Sequence, residues 1–267
     1  MGDLPPVGAA ASGAAAPILE YRNVSKTFHS ARSRNDVQAL AAVDLAIHRG
    51  EFVTFVGPSG CGKSTLLNIT AALMAPSSGE VRLMGAAHAE PSRRIGVMFQ
   101  SPVLLPWRTV KENVLLPAEV YGLKASQVSN KVDEVLSLVG LADFATAYPD
   151  QLSGGMQQRA SLARVLAYEP DVLLMDEPFG ALDEFTREAM NLEVPKLTRP
   201  RSITVLFVTH NIPEAVFLAD RVVVMSARPG RVAGVISVPF SHPRTIEVMR
   251  EPEFTDLVFS VRSTLAA

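Results

Sequence analysis

The chain of 267 residues has a single cysteine, Cys61, so neither an internal disulfide nor a paired-cysteine metal site can form, which suits a reducing cytosolic setting. It also lacks an excess of positive charge. Lys and Arg number 25 against 27 Asp and Glu, and a formal charge of −2 gives no global field for holding a polyanion. The small clusters Arg93-Arg94 and Arg199 with Arg201 read as solvated faces, and nucleic acid is not expected as a partner. No apolar run approaches the roughly 20 residues that span a bilayer, because Arg, Glu, Asp or Pro interrupts every candidate. If the protein acts at a membrane, another chain must supply the span. The first sixteen residues lack the charged and apolar regions of a secretory signal, and their Ala, Gly and Pro content predicts a disordered tail over residues 1–17. What the chain does have is apolar content: 48% hydrophobic residues suffice for a buried core without staples.

Apolar runs recur at Glu51 to Val56, Ile95 to Phe99, Val172 to Met175 and Ile203 to Val208, separated by helix-like stretches. This patterning predicts an α/β fold with buried parallel strands. Ile18 to Val24 and Asp44 to Ile47 alternate as antiparallel strands do, and Val222 to Met225 with Arg231 to Val238 flank a Pro229-Gly230 turn like a hairpin. Both pairs are expected to edge the main sheet. Between Gln100 and Pro149 the strand signal vanishes, while Val128 to Val139 shows the spacing of an amphipathic helix. The reading is a domain over residues 18–243 with a helical insertion over about 101–163, closed by a short helical cap over 244–267. Within Leu192 to Ser202, Pro195 and Pro200 predict an early helix end.

Gly57-Pro58-Ser59-Gly60-Cys61-Gly62-Lys63-Ser64-Thr65 fits GxxxxGK[ST], and it lies between an apolar strand and the helix predicted over Ser64 to Leu73. In that pattern glycines let backbone N–H groups curl around phosphates, a lysine reaches the β/γ oxygens and a hydroxyl ligates Mg²⁺. Cys61 fills a position the pattern leaves open, so a small side chain explains it as well as redox chemistry does. The run VLLMDEP then ends a buried strand in Asp176 and Glu177, where open α/β sheets place their ligand sites. Asp176 suits Mg²⁺, directly or through water. Glu177 suits a general base aimed at the attacking water. Leu152-Ser153-Gly154-Gly155-Met156-Gln157-Gln158-Arg159 precedes a helix reaching about Ala167, whose N-terminus offers unsatisfied N–H groups to an anion.

In this order on one chain, these strings resemble the ATP-binding cassette (ABC) family from about Ile18 onward, on a P-loop NTPase core. The resemblance implies that ATP lies between two copies, with Ser153, Gly154 and Gly155 closing over the γ-phosphate bound by the opposite subunit. It further implies that Gln100, ending GVMFQ, touches Mg²⁺ and the water, and that Asp183 of Gly180-Ala181-Leu182-Asp183 lies at the dimer seam. His210, closing LFVTH, matches the switch histidine on the γ-phosphate, and Phe28 stands where adenine stacks; a Phe at a strand end also suits a core.

In ABC transporters the neighbourhood of Leu104, Leu105, Pro106 and Trp107 receives a coupling helix from the membrane subunit. Packing inside the helical insertion is the other reading of Trp107. The LLPW string and EAVFLADRVVVMSARPGR resemble importer ATPases of the nitrate, sulfonate, taurine and bicarbonate group. That likeness implies an ATPase at the cytoplasmic face of a bacterial inner membrane, in a homodimer, with permease subunits and, indirectly, a solute-binding protein as partners. Two rivals remain: a soluble ABC ATPase acting on ribosomes or DNA, which usually carries a double cassette or long coiled-coil insertion, and a P-loop kinase, which has no use for LSGG.

Overall fold

Continuous apolar runs become strands covered on both faces. The computed structural model describes residues 16–29 and 36–266; most of the tail expected over 1–17 lies outside them. The chain begins with β1 (Leu19–Phe28), β2 (Val37–Ile47), β3 (Phe52–Val56), α1 (Lys63–Thr70), β4 (Ser78–Leu83), β5 (Ala86–Ala87) and β6 (Ile95–Met98). Helices α2 (Val110–Val120), α3 (Ala125–Leu138) and α4 (Gly154–Leu166) follow. Then come β7 (Val172–Asp176), α5 (Glu184–Thr198), β8 (Thr204–Val208), α6 (Ile212–Leu218), β9 (Arg221–Ser226), β10 (Arg231–Ser237) and α7 (Pro252–Ala266).

The large sheet has the order β10-β9-β3-β8-β7-β6, with β9 through β6 parallel and β10 antiparallel at one edge. Side chains alternate between two cores, as the period of 2 requires. Phe52, Leu173, Met175, Val205, Phe207 and Val222 face the core formed with α2 to α7. Val53, Phe55, Leu174, Leu206, Val208 and Val223 face the opposite core, which includes Leu66, Leu67 and Ile69 of α1.

The N-terminal strands do not edge this sheet, contrary to the expectation. They form a separate antiparallel sheet of order β2-β1-β4-β5, joined to the hairpin loop through the Leu40–Gly230 bridge. Their buried side chains Leu19, Tyr21, Val24, Val43 and Ile47 lie in the core that α1 shares with the large sheet. Stacking over α1 covers that apolar face, which edge pairing would leave in water. The Tyr21 hydroxyl meets Thr70 Oγ1 of α1 at 2.6 Å.

The second correction concerns Pro195, which sits inside α5 rather than ending it. Its ring removes the N–H that would bond the Asn191 carbonyl, but its own carbonyl still accepts from the Arg199 N–H, and the buried Met190, Val194 and Leu197 hold the helix in place. Pro200 then lies in a 3-10 turn, Arg199–Arg201. No strand is found from 100 to 149 among the described residues, and α2 starts in a capping box between Thr109 and Glu112.

Candidate nucleotide site

The glycine loop is shaped by what surrounds it. A Cβ on Gly57 would stand 2.6 Å from the Met225 carbonyl oxygen, and one on Gly62, at φ 94°, would stand 2.5 Å from Leu40 Cδ2. Close approach fixes glycine at both positions. The Cys61 side chain is buried beneath the loop, which favours the packing role over redox chemistry. Lys63 turns its ammonium back across the loop, donating to the carbonyls of Gly57 at 2.8 Å and Pro58 at 3.1 Å. Gly62 caps α1 without any side-chain bond, so the first N–H groups of the helix are left to other acceptors.

Strand β7 brings the acidic pair alongside. Ser64 Oγ donates to Asp176 Oδ1 at 3.0 Å. Burial holds the Asp176 carboxyl above its ordinary range, and Glu177 beside it adds to this, while the Ser64 hydroxyl and Lys63 act the other way. Glu177 occupies the left-handed region at φ 45°, pinned by its N–H to Val208 O at 3.0 Å and by Gly180 N–H to its own carbonyl at 3.1 Å. A non-glycine residue in that region is typical of functional sites. Its Oε2 accepts from His210 Nδ1 at 3.0 Å. Gln100 joins them: a Cβ on Gly180 would lie 3.6 Å from Gln100 Nε2 and 3.8 Å from Glu177 Oε2.

A cavity of about 260 Å³ is lined by Ser59, Gly60, Lys63, Ser64, Thr65 and Glu177, with Ala39 and Gly62 completing the wall. An adjoining crevice holds Glu177, Gly180, Thr209, His210 and Glu214. Ser153, Gly154, Gly155, Asp183 and Phe28 line neither. Ser153 caps α4, its Oγ accepting weakly from Met156 N–H at 3.4 Å, and both Ser153 and Gly154 are exposed. Gly155 is buried, and a Cβ there would press to 2.5 Å on Thr186 Cγ2 of the same chain. Asp183 caps α5, accepting from Thr186 N–H at 3.0 Å and Thr186 Oγ1 at 2.6 Å. Phe28, at the end of β1, is 41% exposed with Lys26 Nζ 5.5 Å from the ring centre, so it is not a core residue. Trp107 is 71% exposed, which removes the reading that buried it in the helical insertion.

Several supporting residues escaped the sequence reading. Glu214, buried, accepts from Thr209 Oγ1 at 2.5 Å and Asn191 Nδ2 at 3.0 Å, fixing the residue before His210. Gln158 Nε2 donates to Gln100 O at 2.8 Å, and Arg164 Nη1 to Val103 O at 2.7 Å, so α4 grips the segment after Gln100. Buried Asn113 accepts from Leu105 N–H and donates to the carbonyls of Leu105, Arg108 and Thr109, clasping the loop that carries Trp107. Gln158 lies inside the LSGGMQQR string, which was read for its serine and glycines and not for this contact. The others carry no local signal.

A strand, glycine loop and helix with an acidic strand end beside them define an ATPase of the P-loop class. The family profile described as ABC transporter matches residues 40–180. A taurine import ATP-binding protein of Jannaschia sp. is 43% identical over 243 residues, 90% of each chain. An aliphatic sulfonates import ATP-binding protein of Bacillus thuringiensis is 44% identical, covering 85% of this chain and 88% of that one. A dimeric ATP-binding cassette solved in a post-hydrolysis state with ADP and Pi superposes with TM-score 0.72 at 34% identity, over 84% of this chain and all of the other. The chain belongs to the ABC transporter family and has the ABC ATPase fold.

Proposed function

We propose that this chain is the ATP-hydrolysing subunit of an import system, working as a head-to-tail homodimer on separate membrane subunits at the cytoplasmic face. The observation that carries the reading is that Lys63, Ser64 and Glu177 line one cavity, with Asp176 bonded to Ser64 and His210 bonded to Glu177 from the adjoining crevice, while the exposed Ser153 and Gly154 line neither. A second chain is then needed to bring Ser153 to the γ-phosphate. No helix among the described residues is long and apolar enough to cross a membrane; in this reading separate membrane subunits supply the transport path. The names of the taurine and sulfonate relatives support a small anion or sulfonate-like solute.

In this reading the P-loop N–H groups and Lys63 bind the β- and γ-phosphates, Lys63 exchanging its two carbonyl partners for phosphate oxygens. The Ser64 hydroxyl and Asp176 carboxylate, 3.0 Å apart, form a pair of oxygen donors that fits Mg²⁺, an ion that takes few protein ligands beside phosphate and water. Gln100 completes that set. When bound, the ion supplies charge to the β/γ oxygens. Glu177 orients water and takes its proton as oxygen attacks the γ-phosphorus and the bond to the β-phosphate oxygen breaks, giving ADP and phosphate. His210 holds Glu177 through Nδ1, leaving Nε2 for a γ-phosphate oxygen. Phe28 stacks on adenine, and Asp183 orders the seam by capping α5. Trp107, presented by the Asn113 clasp, meets the membrane subunit.

The test is co-purification with integral membrane proteins, followed by phosphate release in lipid vesicles. Stimulation by a solute-loaded binding protein supports the reading. Co-purification with nucleic acid instead, with no membrane subunit, overturns it.

A further inference from the structure

Away from the nucleotide site a cavity of about 370 Å³ opens between α5 and the segment His242 to Arg244. That volume lies in the range of small-molecule sites. Its walls are mainly apolar, from Leu192, Pro195, Pro200, Phe217 and Pro243, and its charged lining is cationic throughout: Lys196, Arg199 and Arg244, with no carboxylate among the lining residues. Asp220, just outside, pairs with Arg199 at 3.0 Å and stands 3.3 Å from His242. Burial pushes the His242 imidazole below its ordinary range, and the Asp220 side chain opposes this.

The other two cations have no carboxylate of their own. Arg244 is buried and spends its guanidinium on the carbonyls of Val216, Phe217, Ala219 and Phe240. Lys196 is exposed at the mouth and makes no ion pair among the described residues. An apolar chamber with a positive mouth selects an anion carrying an apolar body, since a neutral solute forgoes the charge and a bare inorganic anion forgoes the walls.

Asn191 is shared with the catalytic network: it lines this cavity and donates to Glu214, which holds Thr209 beside His210. We propose that the cavity binds a small organic anion, an apolar chain bearing one sulfonate or carboxylate, and that the bound anion alters ATP turnover through Asn191 and Glu214. The proposal does not depend on the importer reading, only on the chain being an ATPase.

The experiment titrates the full chain with 1-hexanesulfonate, hexanoate and 1-hexanol by calorimetry, and follows phosphate release in parallel. Saturable binding of the two anions at least about tenfold tighter than the alcohol is expected. Lys196→Glu should weaken anion binding roughly fivefold with unchanged melting temperature and ATP affinity, while Lys196→Arg should retain it. Turnover of the wild type should change at least about twofold at saturation, with the dose curve displaced in Lys196→Glu by the same factor as binding. No saturable anion binding, equal binding of hexanol, or indifference to Lys196→Glu overturns the site. Saturable binding with unchanged turnover overturns the coupling.

Discussion

His210 Nδ1 and Glu177 Oε2 lie 3.0 Å apart although the two residues are 33 positions apart in sequence. The contact couples the end of β8 to the end of β7 and fixes the orientation of the Glu177 carboxyl, as a base for water requires. Glu177→Gln keeps the shape and removes the basic oxygen. Phosphate release should fall by about 10²-fold or more with ATP affinity unchanged. His210→Ala should lower release by a similar order, because Glu177 then loses its fixed rotamer. Near wild-type release by either variant removes that residue from the catalytic group.

Lys63 is predicted to act at the binding step. Its ammonium meets two carbonyls 2.8 and 3.1 Å away, neutral partners that phosphate oxygens outcompete. Lys63→Ala should weaken ATP affinity by about tenfold or more, read by equilibrium titration. Unchanged affinity rejects the role.

The strands legible in the sequence were those buried on both sides, such as Val172 to Asp176, where an unbroken apolar run leaves little alternative. Strand β4 was not, because only Val81 and Leu83 of Ser78–Leu83 are buried and Ser78 to Glu80 face water. Nor did the pattern of β1 and β2 reveal that they stack over α1: alternation reports one buried face and is silent on what covers it. Pro195 read as a stop because single-residue preference weighs the missing N–H but not the packing of Met190, Val194 and Leu197 that holds α5. In the candidate site, the loop, Asp176, Glu177 and His210 were visible because each lies at a strand end within a continuous string. Glu214, Asn191 and Asn113 act through contacts distant in sequence, which one sequence does not display.

The coupling surface is best probed at Trp107 rather than Leu105. Leu105 is half-buried and both its backbone polar groups are held by Asn113, so a charge there would disturb the clasp. Trp107→Asp should leave thermal unfolding within about 0.5 kcal/mol of wild type and abolish co-purification with the membrane subunits. A large loss of stability without selective loss of assembly returns the loop to a structural role.

Acid should destabilise the fold partly through Asp220. Burial alone would raise its carboxyl, but His242, the Phe52 N–H and Arg199 outweigh this and hold it at about 2, below the ordinary 3.8. A carboxyl depressed in the folded state stabilises fully above its unfolded value and loses that contribution as pH falls from about 4 toward 2. Melting temperature should therefore fall across that window more steeply in the wild type than in Asp220→Asn. Parallel curves reject the linkage.

The central claim is that ATP is sandwiched between two copies, each lending Ser153 to the other's P-loop. Gly155→Asp is a poor test, since any Cβ there strikes Thr186 of its own chain. Ser153→Arg is the better test because Ser153 is exposed and the cap bond it would lose, to Met156 N–H, is long at 3.4 Å. The decisive measurement is sedimentation of Glu177→Gln with ATP, alone and combined with Ser153→Arg. The account predicts an ATP-dependent dimer for the single variant and monomers that still bind ATP for the double variant. A double variant that dimerises as tightly as the single one contradicts it.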